Sequence, residues 1–230
     1  MVIDVLTLFP NMFDAVLGES IIKRAQASRR VNIRIHNIRD YSKDRHRKAD
    51  DRPFGGGAGM VLNCQPVLDA LFEIKKISAC AKTVLMSPQG RPLDQNLARR
   101  FSQCKGLILI AGHYEGLDDR ISDAVDEQVS IGDYILTGGE LPVMVLIDAV
   151  VRLLPGVLGD RDSNVDETFQ NGLLEYPHYT RPADYDGKKV PQILLSGNHE
   201  AISLWRRKMA VKKTMNQRPD LIRHIRQLEI

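Results

Sequence analysis

The sequence predicts an α/β fold: a parallel sheet covered by helices, with a small, mainly helical C-terminal domain. Three observations point there. β-Branched apolar runs alternate with helix-like segments over the first two-thirds of the chain. Glycine-bearing segments sit at the ends of several predicted strands. After Pro155 the texture changes to a stretch rich in Gly, Asp, Asn, Pro and Tyr, followed by basic amphipathic segments. With 230 residues, 43% hydrophobic and 27% charged, the chain can support one large core and a small one, and it is neither disordered nor collagen-like.

Residues 2–9 read as a strand and 11–27 as a helix, with Asn11 as N-cap and Met12, Val16 and Ile22 on one face. Residues 31–38 alternate Val, Ile and Ile against Asn, Arg and His, a strand buried on one side. A polar, glycine-rich loop (39–60) leads to a helix near 66–76. Short buried strands follow at 82–86 and 107–111, with a helix near 93–103 between them. Residues 119–125 form a weak helix, 130–136 a short strand or loop, and 142–154 a strong apolar helix. A basic helix runs from about 198 to 215, and Arg218–Pro219–Asp220 restarts a last short one. The expected organisation is 1–160 as the sheet domain, 161–175 as a flexible linker and 176–230 as the helical domain.

Composition narrows the class. The most apolar stretch, 141–158, is broken by Asp148 and Arg152, and a membrane span needs about 20 apolar residues, so it reads as a core helix. The N-terminus lacks the basic start and small-residue cleavage site of a signal peptide. Cys64, Cys80 and Cys104 form no C-x-x-C pair and fit neither a disulfide framework nor a zinc site. The expectation is a cytoplasmic protein without a membrane anchor. Net charge is only +3, but residues 111–140 carry eight acids and one base, and residues 200–230 carry eight Lys/Arg against three acids. That asymmetry suits a cationic surface for a polyanion and an acidic region for a cation or cationic ligand; two solvated faces fit the counts equally well.

The P-loop, H-E-x-x-H, EF-hand and G-x-S-x-G signatures are all missing. Gly55-Gly56-Gly57-Ala58-Gly59 is not a dinucleotide fingerprint, because it does not lead from a strand into a helix, and a dehydrogenase is disfavoured. Four glycine-bearing segments remain: Ser87-Pro88-Gln89-Gly90, Gly112-His113-Tyr114-Glu115-Gly116, Ile131-Gly132-Asp133-Tyr134, and Leu136 through Pro142. Each alone reads as a turn; together they can frame one pocket beyond the strand ends, where glycine lets backbone approach a flat ring. The cationic, glycine-rich stretch 45–59 suits a nucleic-acid backbone, and a carboxylate of Asp50-Asp51 can accept from a guanine edge; a solvated surface loop fits the pattern equally well.

Taken in order, the stretches LTLFPNMF, DRHRKADDRPFGGGAGM, SPQGRPLDQ, AGHYEGLDDR, SIGDYILTGGELP, DAVVRLLPGVLG, EYPHYTRP and VPQILLSGNHEAI, with the W-R-R-K of the last domain, closely resemble the bacterial tRNA (guanine-N1)-methyltransferase family. The resemblance runs from Leu6 to about Lys208. It implies a SPOUT-type domain with a deep trefoil knot, an obligate homodimer, S-adenosylmethionine held in the knot, and tRNA spanning both subunits. The modified nucleoside would be the guanosine at position 37, next to the anticodon. Mg²⁺ assists the family's reaction, although no ligand spacing here marks a site. The linker would close only over bound tRNA.

By resemblance, the adenosyl pocket falls on Ser87, Pro88, Gly112, Tyr114, Glu115, Ile131, Gly132, Tyr134, Leu136, Gly138, Gly139 and Pro142. Arg152 matches the arginine that stabilises charge on the purine O6, and Asp50 matches a residue implicated in guanine recognition. Gly59, His178 and Arg181, in the matched stretches, are further tRNA-binding candidates. The family's general base is an aspartate two residues before a phenylalanine. In Asp166-Glu167-Thr168-Phe169 that position holds Glu167, which keeps the carboxylate but is one methylene longer. Glu167 is the assigned base, with Asp166 as the alternative after a one-residue slip. Two other readings stay open: a tRNA-binding protein that has lost catalysis, and a knotted methyltransferase acting on another RNA position.

Overall fold

The computed structural model describes residues 1–159, 168–169 and 172–226. In chain order the strands are β1 (Val2–Thr7), β2 (Asn32–Asn37), β3 (Asp50–Asp51), β4 (Val61–Leu62), β5 (Ala81–Pro92), β6 (Gly106–Ala111), β7 (Glu127–Ser130), β8 (Asp184–Tyr185) and β9 (Lys188–Lys189). The α-helices are α1 (Asp14–Leu17), α2 (Ser20–Ala27), α3 (Cys64–Ile77), α4 (Gln95–Ser102), α5 (Glu140–Val151), α6 (His199–Gln217) and α7 (Pro219–Arg226). The chain divides into two compact units, Met1–Gly159 and Asp160–Ile230.

The first unit is built on a five-stranded sheet in the order β2-β1-β6-β5-β7, with every pair parallel. Parallel strands buried on both faces read as continuous apolar runs, and all six residues of β6 are buried. Alternation then sorts side chains between two cores. Leu107 and Leu109 join Ile3, Val5 and the apolar faces of α2, α4 and α5. Ile108 and Ile110 join Leu6, Leu85 and the face of α3 that carries Val67, Leu71 and Ile74.

Several expected elements are redrawn. The single helix at 11–27 is instead a 3₁₀ turn (Pro10–Phe13), α1 and α2. Gly18 N–H donates to the Asp14 carbonyl at 2.9 Å, which ends α1 after one turn, and Ser20 restarts the chain at φ +50°. The buried set is therefore Phe13, Leu17, Ile22 and Ala25, whereas Met12 and Val16 stay exposed. Strand β5 runs past the expected Met86: Ser87–Gly90 bulge out, and Arg91 and Pro92 pair again with β7. Pro88 has no N–H for the ladder, and Gly90 lies so close to the Gln128–Val129 backbone that only glycine fits. Residues 130–136, expected as a short strand or loop, run as loop beyond Ser130, which ends β7 and whose hydroxyl exchanges hydrogen bonds with the Gly132 backbone.

In the second unit, Asn198 caps α6 by accepting from Ala201 N–H at 3.1 Å. Thr214 is fully buried, with its hydroxyl accepting from Leu174 N–H at 2.9 Å and donating to the Ala210 carbonyl at 2.7 Å. The β8–β9 hairpin was not expected from the sequence. Its turn residues Asp186 and Gly187 take φ +51° and +78°, and the Asp-Gly dipeptide is the signal that marks such a turn.

The polar residues of β2 do not form a solvated face. Arg34 makes two 2.7 Å hydrogen bonds to the buried Asp4 carboxylate, His36 Nε2 lies 2.8 Å from it, and the Ser78 hydroxyl donates at 3.0 Å. Burial pushes the Asp4 carboxyl up, but the hydrogen bonds from His36, Arg34 and Ser78 and the Arg34 charge outweigh it, holding the group below its ordinary 3.8. A carboxyl depressed on folding stabilises the protein above 3.8, and that stability is lost as pH falls through the folded-state value. Asp4→Asn is therefore expected to lose about 3 kcal/mol at pH 7, at the low end for a broken buried pair because Arg34 is partly exposed. The loss should shrink on acidification. Urea unfolding of both proteins at pH 7 and pH 3 checks this; a deficit that stays constant would show that the pairing contributes nothing.

Candidate active site

Ligands of open parallel sheets bind beyond the carboxyl ends of the strands. Here β6, β5 and β7 are neighbours, and the segments after β6 and β7, together with the bulge in β5, converge on one cleft of about 650 Å³. That is within the usual size of a small-molecule site. All twelve residues assigned to the adenosyl pocket line this cleft, from Ser87 and Pro88 in the bulge to Gly139 and Pro142 at the start of α5.

Close backbone approach explains the glycines. Gly139 N–H donates to the Gly112 carbonyl at 2.6 Å. A Cβ on Gly139 would stand 2.7 Å from Gly112 N and 2.9 Å from Ala111 Cα, against backbone that cannot swing away. Gly112 in turn meets the Leu117 side chain, where a Cβ would be 2.5 Å from Cδ1. Tyr114, at φ +62°, turns the segment after β6 back along the cleft, and Gly116 and Gly132, at φ +142° and +149°, take conformations that L side chains rarely adopt. A wall of backbone and flat rings suits a flat heterocycle.

His113 and Glu140 form the base of this arrangement, and the sequence reading had given neither a role. Glu140 is the first residue of α5, so its carboxylate complements the helix N-terminus. It is 1% exposed and accepts from the Thr7 hydroxyl at 2.8 Å. His113 Nδ1 stands 3.5 Å from the same carboxylate, too long for a hydrogen bond, and its ring packs against Phe9 and edge-on to Tyr114. The pinch of Gly138 between His113 and Glu140 was invisible in sequence spacing.

The acidic segment serves less uniformly than its charge count implied. Glu115 and Asp119 line the cleft. Glu127 is bound by Lys82 and Arg100, Asp118 by Arg120, and Asp126 accepts from Thr83 N–H, so these three hold the fold.

Gly59 packs on the cleft wall, where a Cβ would lie 2.5 Å from Glu115 Cγ. Asp50 lies on β3, opposite Leu62 of β4, with its carboxylate 3.8 Å from Arg39. Arg152 caps the far end of α5 and is not part of the cleft. At 1.5 Å per residue, it lies about 20 Å along the helix from Gly139. His178 and Arg181 line a different cleft, of about 480 Å³, within the second unit. There Tyr176 lies 4.8 Å from the His178 ring and under the Arg206 guanidinium, and Trp205 lies 6.5 Å from Tyr179.

Asp166 and Glu167 lie outside the described residues. Their neighbours Thr168 and Phe169 are anchored in the second unit: the Thr168 hydroxyl accepts from Glu175 N–H at 3.1 Å, and Phe169 N–H donates to the Leu173 carbonyl at 2.9 Å. Among the described residues no cluster of three or more His, Cys, Asp or Glu is placed to hold a metal ion, and no helix is long and apolar enough to cross a membrane.

A family model described as tRNA (Guanine-1)-methyltransferase TrmD matches residues 1–224. A Ruminiclostridium cellulolyticum protein named tRNA (guanine-N(1)-)-methyltransferase is 58% identical over 220 residues, covering 95% of this chain and 94% of its own. Proteins of the same name from Carboxydothermus hydrogenoformans and Limosilactobacillus fermentum are 54% and 51% identical, covering 97% and 96% of this chain and 88% and 90% of theirs.

Proposed function

The chain belongs to the tRNA (guanine-1)-methyltransferase family, and from that premise we propose that it transfers a methyl group from S-adenosylmethionine to N1 of the guanosine at position 37 of tRNA, beside the anticodon. The observation that carries the donor site is the convergence of the glycine segments on one cleft, walled by the Gly112–Gly139 backbone contact. The glycines and the faces of Tyr114 and Tyr134 suit an adenine ring, and the carboxylates of Glu115 and Asp119 suit a cationic donor. S-adenosylmethionine, when bound, supplies an electrophilic methyl group.

The chain's own residues must expose the N1 lone pair. Guanine N1 carries a proton near neutral pH, so a carboxylate has to accept it, and we assign that step to Glu167 with Asp166 as the alternative. As the proton leaves, negative charge grows on O6. The guanidinium of Arg152 stays charged and presents a forked donor for that oxygen. Asp50, Gly59, His178 and Arg181 are the assigned tRNA contacts.

Two features support a homodimer. One chain keeps Arg152 about 20 Å along α5 from its own donor cleft, so a second copy is what brings arginine and donor together. Met12 and Val16 near the N-terminus, and Leu141 and Val145 on α5, are apolar and exposed, and the turn Pro10–Phe13 packs against α5. This is a face that a second subunit would bury. The deep trefoil knot is proposed on the family resemblance, with the parallel sheet as its frame. A cytoplasmic location and assistance by Mg²⁺ rest on that resemblance alone.

Single-turnover methyl transfer to two tRNA transcripts, carrying guanosine or adenosine at position 37, tests the function. Label in the first alone is the expected result. No label in either, with tRNA still bound, would leave a binding protein, and label in both would place the reaction elsewhere on the tRNA.

A further inference from the structure

Phe54 is the most exposed large apolar side chain among the described residues, at 103% of its reference area. Such a ring leaves the whole of its apolar surface open to a partner in the free protein. It sits in the loop between β3 and β4, which pair Asp50 with Leu62 and Asp51 with Val61. Gly55, Gly56, Gly57 and Gly59 follow it at φ +85°, +81°, +124° and +80°, and no atom lies within 4 Å of a Cβ built on Gly55 or Gly56. The glycines hold the ring away from the body of the first unit.

The far end of the loop is tied to the donor cleft. Glu115 N–H donates to the Met60 carbonyl at 3.1 Å, Leu62 N–H donates to the Gly116 carbonyl at 3.0 Å, and Gly59 packs on Glu115. Phe54 is five residues from Gly59, which limits its reach to about 18 Å from the cleft wall. The approach to the loop carries Arg45, Arg47, Lys48 and Arg52 against Asp44, Asp50 and Asp51. Of these acids, Asp44 accepts from the His46 and Lys48 N–H groups, and Asp50 faces Arg39. Arg47 is paired with Asp40 at 3.2 Å, and Arg45, Lys48 and Arg52 carry the positive charge that suits phosphate.

We propose that Phe54 stacks on a nucleobase of the bound tRNA adjacent to the target guanosine. The inference rests on the function proposed above. N1 lies on the Watson–Crick edge, and chemistry on a base requires it to leave its stack, which strips one face from the neighbouring base. An aromatic ring carried on a cationic loop replaces that face without reading sequence.

Full-length protein with Phe54→Ala or Phe54→Trp, and tRNA carrying 2-aminopurine next to the target position, provides the test. For Phe54→Ala, kcat/KM for tRNA is expected to fall about 10–100-fold, the range a lost base–aromatic stack commands. Donor affinity, dimer mass and melting temperature should be unchanged. Phe54→Trp should recover most of the rate, and the 2-aminopurine quenching produced by the parent protein should vanish with alanine only. Phe54→Ala within about twofold of the parent overturns the proposal, as does a loss that follows a changed dimer mass, which would make Phe54 a subunit contact. If the parent binds tRNA without methylating it, the enzymatic reading fails while the quenching comparison still decides the stack.

Discussion

Gly139→Ala is expected to weaken S-adenosylmethionine binding by about 100-fold, or roughly 2.7 kcal/mol. The added Cβ would meet Gly112 N at 2.7 Å and Ala111 Cα at 2.9 Å. Ala111 ends a strand that is buried throughout and Gly112 follows it directly, so the backbone there cannot yield cheaply. The start of α5 must therefore move off β6, breaking the 2.6 Å hydrogen bond to the Gly112 carbonyl and opening the cleft at its base. Gly159→Ala is the control, because no atom lies within 4 Å of its added Cβ. Titration calorimetry with donor alone reads the effect. Parent-like affinity in Gly139→Ala would show that the close approach is not what shapes the donor site.

Glu167→Gln is expected to slow single-turnover methyl transfer by about 10²–10⁴-fold, the usual weight of a general base. Donor and tRNA affinities should stay within about twofold, because the amide keeps the size and loses only the proton-accepting charge. Asp166→Asn should remain close to the parent. Glu167, rather than Asp166, is the residue two before Phe169 in the sequence. The reverse pattern, with Asp166→Asn inactive and Glu167→Gln active, would establish the one-residue slip. Equal loss of donor binding in Glu167→Gln would remove the residue from proton transfer altogether.

The parallel sheet was legible because a strand covered on both faces has to be apolar throughout, and residues 107–111 announce that directly. Helices α3, α4 and α5 were legible through their apolar spacing. The first helical region was misread: Met12, Val16 and Ile22 fit one helical stripe, but the stripe is cut at Gly18, and Phe13 and Leu17 point inward instead. Arg34 and His36 fall on the polar side of a strand expected to be buried on one face, and a period-two pattern records polarity and not the partner; the buried Asp4 across the pair changes their meaning.

The sequence by itself determined the class of fold, the family, and twelve residues that line one cleft, since residues in a fixed order are properties of the chain. Only the tertiary structure decided which of the glycines are irreplaceable, because that depends on atoms distant in sequence: Gly139 against Ala111 and Gly112, Gly90 against Gln128, Gly59 against Glu115. It also drew Thr7, His113 and Glu140 together under the cleft and separated Arg152 from it by the length of a helix. Spacing along a chain constrains local geometry, whereas contact across 133 residues, as between Thr7 and Glu140, is set by how strands order themselves in a sheet.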